Sequence, residues 1–532
     1  MKSLKMFFLA IVCILSMAAT AQNQSKAQMN AQKLGTTLYL IENFYVDTAN
    51  LDKVTEDAII AALKELDPHS AYISKKDVEK ANEPLVGSFE GIGVTYQLIR
   101  DTITVISPTA GGPSEKVGIM TGDQIIKIDG EDAFGKKIDN EYVQKRLRGK
   151  KGTKVTVSIK RGSDPELIDF EITRDKIPLN SINAAYILDN HIGYIKLDRF
   201  AQESTQEFKD AFAKLQTQGM ESLIFDLRGN TGGYLNTAIE LVDQFIDEGK
   251  LIVFTEGIHS PRQEWRSTAA GLYTTGKLVV LIDEGSASAS EILSGAIQDH
   301  DRGVVIGRRS FGKGLVQRPF NLPDGAQIRL TTSRYHTPSG RCIQRPYEKG
   351  AEDYAKEMEK RLKHGEYYHA DSIHFPDSLK FKTDGGRTVY GGGGIMPDLF
   401  IPVDTAYNSK LYTNLVRKGA LNRFTTDYAL KHRDEIKAQY GDFDNFNKDF
   451  VVGQDLINGL KKAAEEAKVE WNEEQFNRSE KFLLLQIKAL IARNVWETQE
   501  YYRVMASTDP GIQKAIEILN DNKAFNKILS DK

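Results

Sequence analysis

The chain has 532 residues, 40% of them hydrophobic and 27% charged, which are the values of folded globular domains and exclude a fibrous or disordered chain. Its 70 basic and 73 acidic residues leave a net charge of −3, which argues against a nucleic-acid surface as the main partner. The length suits about three or four domains of ordinary size.

The first residues carry the pattern of an export signal. Lys2 and Lys5 give a basic start, residues 6–17 an apolar core too short for a comfortable membrane span, and Ala19-Thr20-Ala21 a small-residue cleavage site. Residues 1–21 are therefore expected to be a signal peptide; an uncleaved anchor is the other reading. Ile11-Val12 before Cys13 are too bulky for a lipidation site. Export predicts a periplasmic or cell-envelope location, with no stable membrane span after cleavage. Only Cys342 survives cleavage, so no internal disulfide is expected.

Residues 22–85 read as helical, from apolar residues at helical spacing in Leu38, Leu40, Ile41 and Phe44 and again in Ile59, Ile60, Leu63 and Leu66. Asp67-Pro68-His69-Ser70 breaks that pattern, and His69 reads as a turn residue rather than a base. Residues 86–176 change to short strands. Gly91-Ile92-Gly93-Val94 opens one, 102–105 alternates as a second, 121–130 is a turn, a strand and a turn, 140–147 is a short helix, and 155–159 and 167–172 are the closing strands. Residues 177–404 alternate buried-type strands (192–197, 223–227, 278–282, 303–306) with helical patterns (204–216, 235–247, 290–299), which predicts a sheet covered on both faces. Gly391-Gly392-Gly393-Gly394 reads as a loop, with no strand and helix to frame a phosphate site. From residue 405 the chain is helical again. Asp442-Phe443-Asp444 is not a calcium loop, because Phe446 and Gly453 stand at ligand positions.

The chemistry concentrates in three segments. Ser286, Ser288 and Ser290 lie between the apolar run 278–282 and a predicted helix, whose free N–H groups and partial positive charge would stabilise an oxyanion. Each of the three could be the nucleophile, or all could merely cap the helix. Lys313, between Gly312 and Gly314, serves as a base only if burial makes it neutral; a solvated loop lysine is the plain alternative. Gln317 could orient the amine only if the chain turns, since four residues of straight strand span roughly 13 Å. The glycine-rich turn 226–233 can aim N–H groups at an oxyanion or simply connect a strand to a helix. Residues 307–314 nearly match a phosphate loop, but Gly314 replaces the magnesium-binding hydroxyl and Pro319 opposes the helix that must follow. There is no H-E-x-x-H, and the nine histidines lack metal-ligand spacing, so no metal or cofactor is expected.

In this order these motifs resemble the C-terminal processing (tail-specific) proteases, serine–lysine peptidases that carry a PDZ domain. The resemblance covers roughly residues 38–345. It rests on Leu66-Asp67-Pro68-His69-Ser70-Ala71-Tyr72, Gly91-Ile92-Gly93-Val94, Gly122-Asp123-Gln124-Ile125, residues 226–233, residues 285–291, and Phe311-Gly312-Lys313-Gly314 with Gln317. It implies an α/β multidomain chain: an N-terminal helical segment (22–85), a PDZ domain (86–176), a crotonase- or Clp-protease-like peptidase core (177–404) and a helical C-terminal segment (405–532). It implies Ser288 as nucleophile, Lys313 as base, Gln317 as its support, and an oxyanion hole from Ala289 and Gly232, chosen over Gly233. It also implies that Gly91, Ile92, Gly93 and Val94 hold the terminal carboxylate of a substrate added as a strand. The expected activity is an exported serine endopeptidase acting through an acyl-enzyme on proteins or peptides with free C-termini. An inactive PDZ scaffold and a crotonase-type acyl-transfer enzyme are the alternatives. The first is opposed by the intact Ser288, Lys313 and Gln317, the second by the PDZ. For the C-terminal segment three roles stay open: packaging the enzyme, forming a homo-oligomer, or binding an adaptor protein.

Overall fold

A computed structural model describes residues 25–135, 138–162 and 164–530; the expected signal peptide, residues 1–21, lies outside them. Among the described residues no helix is long and apolar enough to cross a membrane.

The N-terminal segment forms α1 (Lys26–Phe44), α2 (Leu51–Lys64), β1 (Ala71–Ile73) and α3 (Val78–Val86). It is not wholly helical. After the Asp67-Pro68 break the chain runs extended as β1 and pairs with a strand of the core far along the sequence. The apolar periodicity of α1 does not mark burial either, since Leu40 and Phe44 are 50% and 74% exposed.

The PDZ unit contains β2 (Ser88–Gly91), β3 (Val94–Ile99), β4 (Thr102–Pro108), α4 (Pro113–Lys116), β5 (Gln124–Ile128), β6 (Glu131–Asp132), α5 (Asn140–Leu147), β7 (Lys154–Lys160), β8 (Leu167–Thr173) and β9 (Asp175–Pro178). Alternation in β7 sends Val155, Val157 and Ile159 into a separate core with Ile103, Val105, Ile125 and Val143. Gly91-Ile92-Gly93-Val94 does not open one strand. Gly91 ends β2, Val94 begins β3, and Gly93 turns the chain between them at φ +74°. A β-carbon there would meet the Ile177 side chain at 2.9 Å, so the turn needs glycine. β2 pairs antiparallel with β9, which brings the two ends of the unit together.

The core contains β10 (Ile182–Leu188), β11 (Ile192–Leu197), α6 (Ser204–Thr217), β12 (Ser222–Asp226), α7 (Leu235–Asp243), β13 (Leu251–Gly257), β14 (Ser260–Arg266), β15 (Lys277–Ile282), α8 (Ala289–Asp299), β16 (Val304–Gly307), β17 (Leu315–Asn321) and β18 (Gln327–His336). After α9 (Ala351–Ala355), α10 (Glu357–Lys363), β19 (Lys380–Lys382) and β20 (Thr388–Tyr390), β21 (Leu399–Phe400) closes a six-stranded sheet of order β10-β11-β12-β15-β16-β21, parallel from β11 onward. Its strands read as continuous apolar runs because both faces are covered. Phe208, Phe212, Leu241, Phe245 and Leu293 from α6, α7, α8 and their flanks fill one face. The second face, including Ile224, Val279, Leu281, Val304 and Ile306, is covered from the far end of the chain, by Ile512, Ala515, Ile518, Leu519 and Phe525. β17 and β18 form a hairpin in a second sheet with β1, β13 and β14.

Those distant residues belong to the helical C-terminal segment. It comprises α11 (Lys410–Arg417), α12 (Ala420–Tyr440), α13 (Phe443–Asp449), α14 (Gln454–Glu466), α15 (Glu473–Val495), α16 (Thr498–Met505), α17 (Pro510–Asn520) and α18 (Asn522–Ser530). Asp442 caps α13 rather than a calcium loop.

Candidate active site

The carboxyl ends of β12 and β15 deliver the two turns that meet at the site, the place where open parallel sheets bind ligands. The three serines after β15 separate by what their hydroxyls do. Ser286 Oγ is fully buried, donates to the Leu227 carbonyl at 2.8 Å and accepts from the Asp283 N–H at 2.9 Å. Ser290 Oγ is fully buried and donates to the Asn230 carbonyl at 2.8 Å. Both therefore fasten the two turns together. Ser288 alone of the three is half-buried and lines the cavity described below. It stands at the N-cap of α8 with φ +56° and ψ −111°, a conformation a side-chain-bearing residue holds only under constraint.

Glu291 supplies much of that constraint. Its carboxylate is fully buried. Oε2 accepts from the N–H of Ser288 at 2.8 Å and of Lys313 at 2.9 Å, and Oε1 from the Gly312 N–H at 2.7 Å and Ser310 Oγ at 2.5 Å. Burial raises its pKa, while these donors pull the other way. Tyr335 is a second clasp, its hydroxyl lying 3.1 Å from the Ser288 carbonyl and 2.8 Å from that of Lys313. Glu291 read in the sequence only as part of a capping signature, and Tyr335 gave no signal. Both act because α8, the loop 310–314 and β18 converge only in the fold.

Lys313 is not a solvated loop lysine. Gly312, at φ +88°, and Gly314 let this loop run against the backbone of Gly394 and Gln344, where a β-carbon would lie 3.1 Å and 2.8 Å from the respective amide nitrogens. The side chain is half-buried, and burial lowers its pKa below the usual 10.5; the Glu291 carboxylate opposes this and Arg329 adds to it. Nζ donates to Gln317 Oε1 at 3.0 Å, although four residues separate them. Lys313 precedes β17, and the β17–β18 register shifts between Val316 and Gln317, so the chain makes the turn this contact requires. Gln317 Nε2 in turn donates to the His69 carbonyl.

His69 thus acts through its backbone. Asp67 Oδ1 accepts from the N–H groups of His69 and Ser70, both at 2.8 Å, which shapes the turn. The imidazole Nε2 lies 2.8 Å from the Tyr354 hydroxyl, and burial, then the charge of Lys313, pushes its pKa down to about 4.

The turn after β12 faces Ser288. Gly232, at φ +97°, packs on the Ser288 turn so closely that a β-carbon would lie 2.7 Å from the Ala287 carbonyl oxygen and 2.9 Å from Ser288 Cβ. Its N–H, however, is taken by Asn230 Oδ1 at 2.8 Å. The choice of Gly232 as oxyanion donor is corrected on that ground. The N–H groups of Ala289 and Gly233 have no acceptor among the described residues. Ser288, Ala289, Gly232, Gly233, Lys313 and Gln317 line one cavity of about 380 Å³, with Pro84 and Leu85 of α3 at its edge. In the PDZ unit the Gly93 N–H likewise has no acceptor among the described residues, while the Ile92 carbonyl is held by Ser114 Oγ at 2.7 Å.

Comparison with known proteins fits this geometry. The profile of Peptidase family S41 matches residues 191–352, that of the PDZ domain residues 91–172, and that of a family of unknown function residues 411–497. A carboxy-terminal-processing protease of Bartonella bacilliformis is 33% identical over 342 residues, 64% of this chain and 78% of that protein. The chain belongs to the carboxy-terminal-processing protease family. A probable CtpA-like serine protease of Staphylococcus aureus is 36% identical over 318 residues, 59% of this chain, and the chain spans 63% of its length. Among solved structures, the photosystem II D1 C-terminal processing protease aligns at 28% identity over 58% of this chain and 89% of its own, with a TM-score of 0.33. Residues 411–497 fall under the separate profile of unknown function, outside the PDZ and peptidase profiles.

Proposed function

We propose that this chain is a serine endopeptidase that selects substrates by their C-termini and cuts them with Ser288 and Lys313. The observation that carries this reading is the sorting of the three serines. Ser286 and Ser290 give their hydroxyls to backbone carbonyls, while Ser288 shares a cavity with a desolvated lysine amine and two free N–H groups.

In the first half-reaction Ser288 Oγ attacks the scissile carbonyl and passes its proton to neutral Lys313 Nζ. The oxygen becomes negative against the N–H groups of Ala289 and Gly233, which are already oriented by α8 and by the turn on Asn230. The Lys313 ammonium then protonates the leaving amine, and the acyl group remains on Ser288. Water attacks that ester with Lys313 again as base, the ammonium gives its proton to the departing Ser288 Oγ, and the acid product leaves. Gln317, held by the His69 carbonyl, fixes the amine through one hydrogen bond. The PDZ turn around Gly93 receives the substrate's terminal carboxylate, and the tail lies beside β3 opposite Tyr142 of α5, whose Val143 and Leu147 are buried in the core of the unit. Residues 1–21 direct the chain to the periplasm or cell envelope.

Purified variants assayed on an unstructured protein test the assignment. Ser288→Ala loses proteolysis and keeps its melting temperature. Ser286→Ala keeps measurable activity and loses about 1–3 kcal/mol of stability, because a buried carbonyl and a buried N–H lose their partner. An active Ser288→Ala enzyme overturns the reading.

A further inference from the structure

The turn that faces Ser288 is anchored from outside the peptidase core. Arg228 stands directly before Gly229, and its guanidinium is held on two sides. Nε and Nη2 grip Asp226 at the end of β12, with Nη2 2.6 Å from Oδ2. Nη1 lies 2.9 Å from both carboxylate oxygens of Asp509, a residue of the C-terminal segment. Asp226 is nearly fully buried, also accepts from the Tyr194 hydroxyl at 2.7 Å, and is held down at a pKa of about 2; burial alone would raise it, and Arg228 and Lys196 more than offset that. The Arg228 carbonyl accepts from Lys196 Nζ at 2.5 Å, and the next N–H, of Gly229, donates to Asp283 Oδ1 at 2.8 Å. Asp509 is itself fixed: it caps α17, accepting from the Ile512 N–H at 3.0 Å, and α17 is packed on the second face of the sheet.

We propose that Asp509 is a positioning residue for catalysis, and that the C-terminal helices complete the oxyanion turn rather than only enclosing the core. The proposal rests on the peptidase reading above. Gly229, Gly232 and Gly233 all hold positive φ, so the shape of the turn depends on the contacts that fix it, and an oxyanion donor is effective only when it is oriented before charge develops. Asp226 and Arg228 tie the start of the turn to the strand it leaves, and Asp283, Ser286 and Ser290 hold it to the turn after β15. Asp509 adds a fixed point on a different element, through a charge-assisted contact to both carboxylate oxygens. Without it, Arg228 keeps only Asp226, and the start of the turn that leads to the Gly233 N–H is held from within the core alone.

Asp509→Asn is the decisive variant. Asparagine caps a helix as well as aspartate does, so α17 keeps its start while Arg228 loses the charged partner. The full-length enzyme is assayed on a peptide carrying a matched C-terminal tail. Expected is a fall in kcat of about 10- to 100-fold, less than the roughly 10²–10³-fold for outright loss of an oxyanion donor. KM, binding of the tail and the number of sites titrated by a serine-directed reagent stay unchanged. Affinity for a peptide aldehyde, whose adduct with Ser288 carries the same oxyanion, falls in step with kcat. Unchanged kcat overturns the proposal, and so does a loss that merely follows the number of titrated sites, which would make Asp509 structural. Ser288→Ala runs alongside. If that variant is active, the peptidase reading fails and this proposal with it; if it is inactive while Asp509→Asn is as fast as the parent, only the brace is wrong.

Discussion

Ser288 and Lys313 are both held at a cost in stability, which their proposed chemistry explains. A left-handed φ on a residue with a β-carbon costs of order 1–3 kcal/mol, and Glu291 holds Ser288 there through its backbone N–H. Lys313 loses hydration, so its folded-state pKa lies below the 10.5 of the free amine. The linkage then has a definite sign. Below the lowered pKa both folded and unfolded chains carry the proton, and the burial penalty is felt in full. Between that value and 10.5 the unfolded chain binds more protons, so stability rises with pH and the penalty disappears. Lys313→Met is therefore expected to melt higher than the parent at pH 7, to be inactive, and to lose its advantage as pH climbs toward 10.5. Peptidase activity of the parent rises with pH on a limb set by this amine. His69, titrating near 4, sits too low to supply that limb. Thermal melts and kcat/KM across pH check both statements. An active Lys313→Arg enzyme refutes them, since arginine stays protonated.

Among the elements, β1 and β17 show how a short strand can decide a site. β1 pairs with β18 through Ala71, Tyr72 and Ile73, which puts the preceding His69 carbonyl within reach of Gln317. The shift in β17 turns Gln317 back toward Lys313, where a straight strand would have carried it away. The PDZ unit is the opposite case, an element group that closes on itself. It has its own buried core, and β2 and β9 join its two ends. A fragment of residues 88–178 is expected to unfold cooperatively by itself. It should bind a peptide with a free C-terminus at least about tenfold more tightly than the amidated peptide, because capture of the carboxylate charge is lost on amidation. Circular dichroism melts and fluorescence anisotropy measure the two parts; equal affinity for both peptides excludes tail recognition at Gly93.

At the scale of the molecule, the C-terminal segment is bound into the peptidase core by its last helices. Ile512, Ala515, Ile518, Leu519 and Phe525 cover the face of the sheet that carries Ile224, Val279, Leu281, Val304 and Ile306. Exposing side chains of this kind costs roughly 1.5–3 kcal/mol each, so the five strand residues alone stand for about 10 kcal/mol, comparable to the whole stability of a domain. A chain ending at residue 497 is therefore expected to be insoluble or to lose cooperative unfolding, even though the profiles of both the PDZ domain and the peptidase lie wholly within it. Soluble expression followed by calorimetry decides this. A truncated chain that melts like the parent would show that the last helices are dispensable.

The sequence by itself determined the order of domains and the local chemistry, because these depend on short-range patterns. Apolar runs marked the parallel strands, the alternation of residues 102–105 marked β4, and the serines, the lysine and the glycine turn stood in one readable order. It could not choose among the three serines without the family resemblance, since that choice depends on carbonyls contributed by another strand's turn, those of Leu227 and Asn230. Nor could it show that Lys313 is half-buried, that Gly232 donates its N–H to Asn230, or that the apolar face of α1 is exposed. Solvation and hydrogen-bond partnership are decided by which distant segments meet, and no local pattern encodes them. The link from Asp509 to Arg228, 281 positions apart, is the extreme case: only the packing of α17 on the sheet brings the two together.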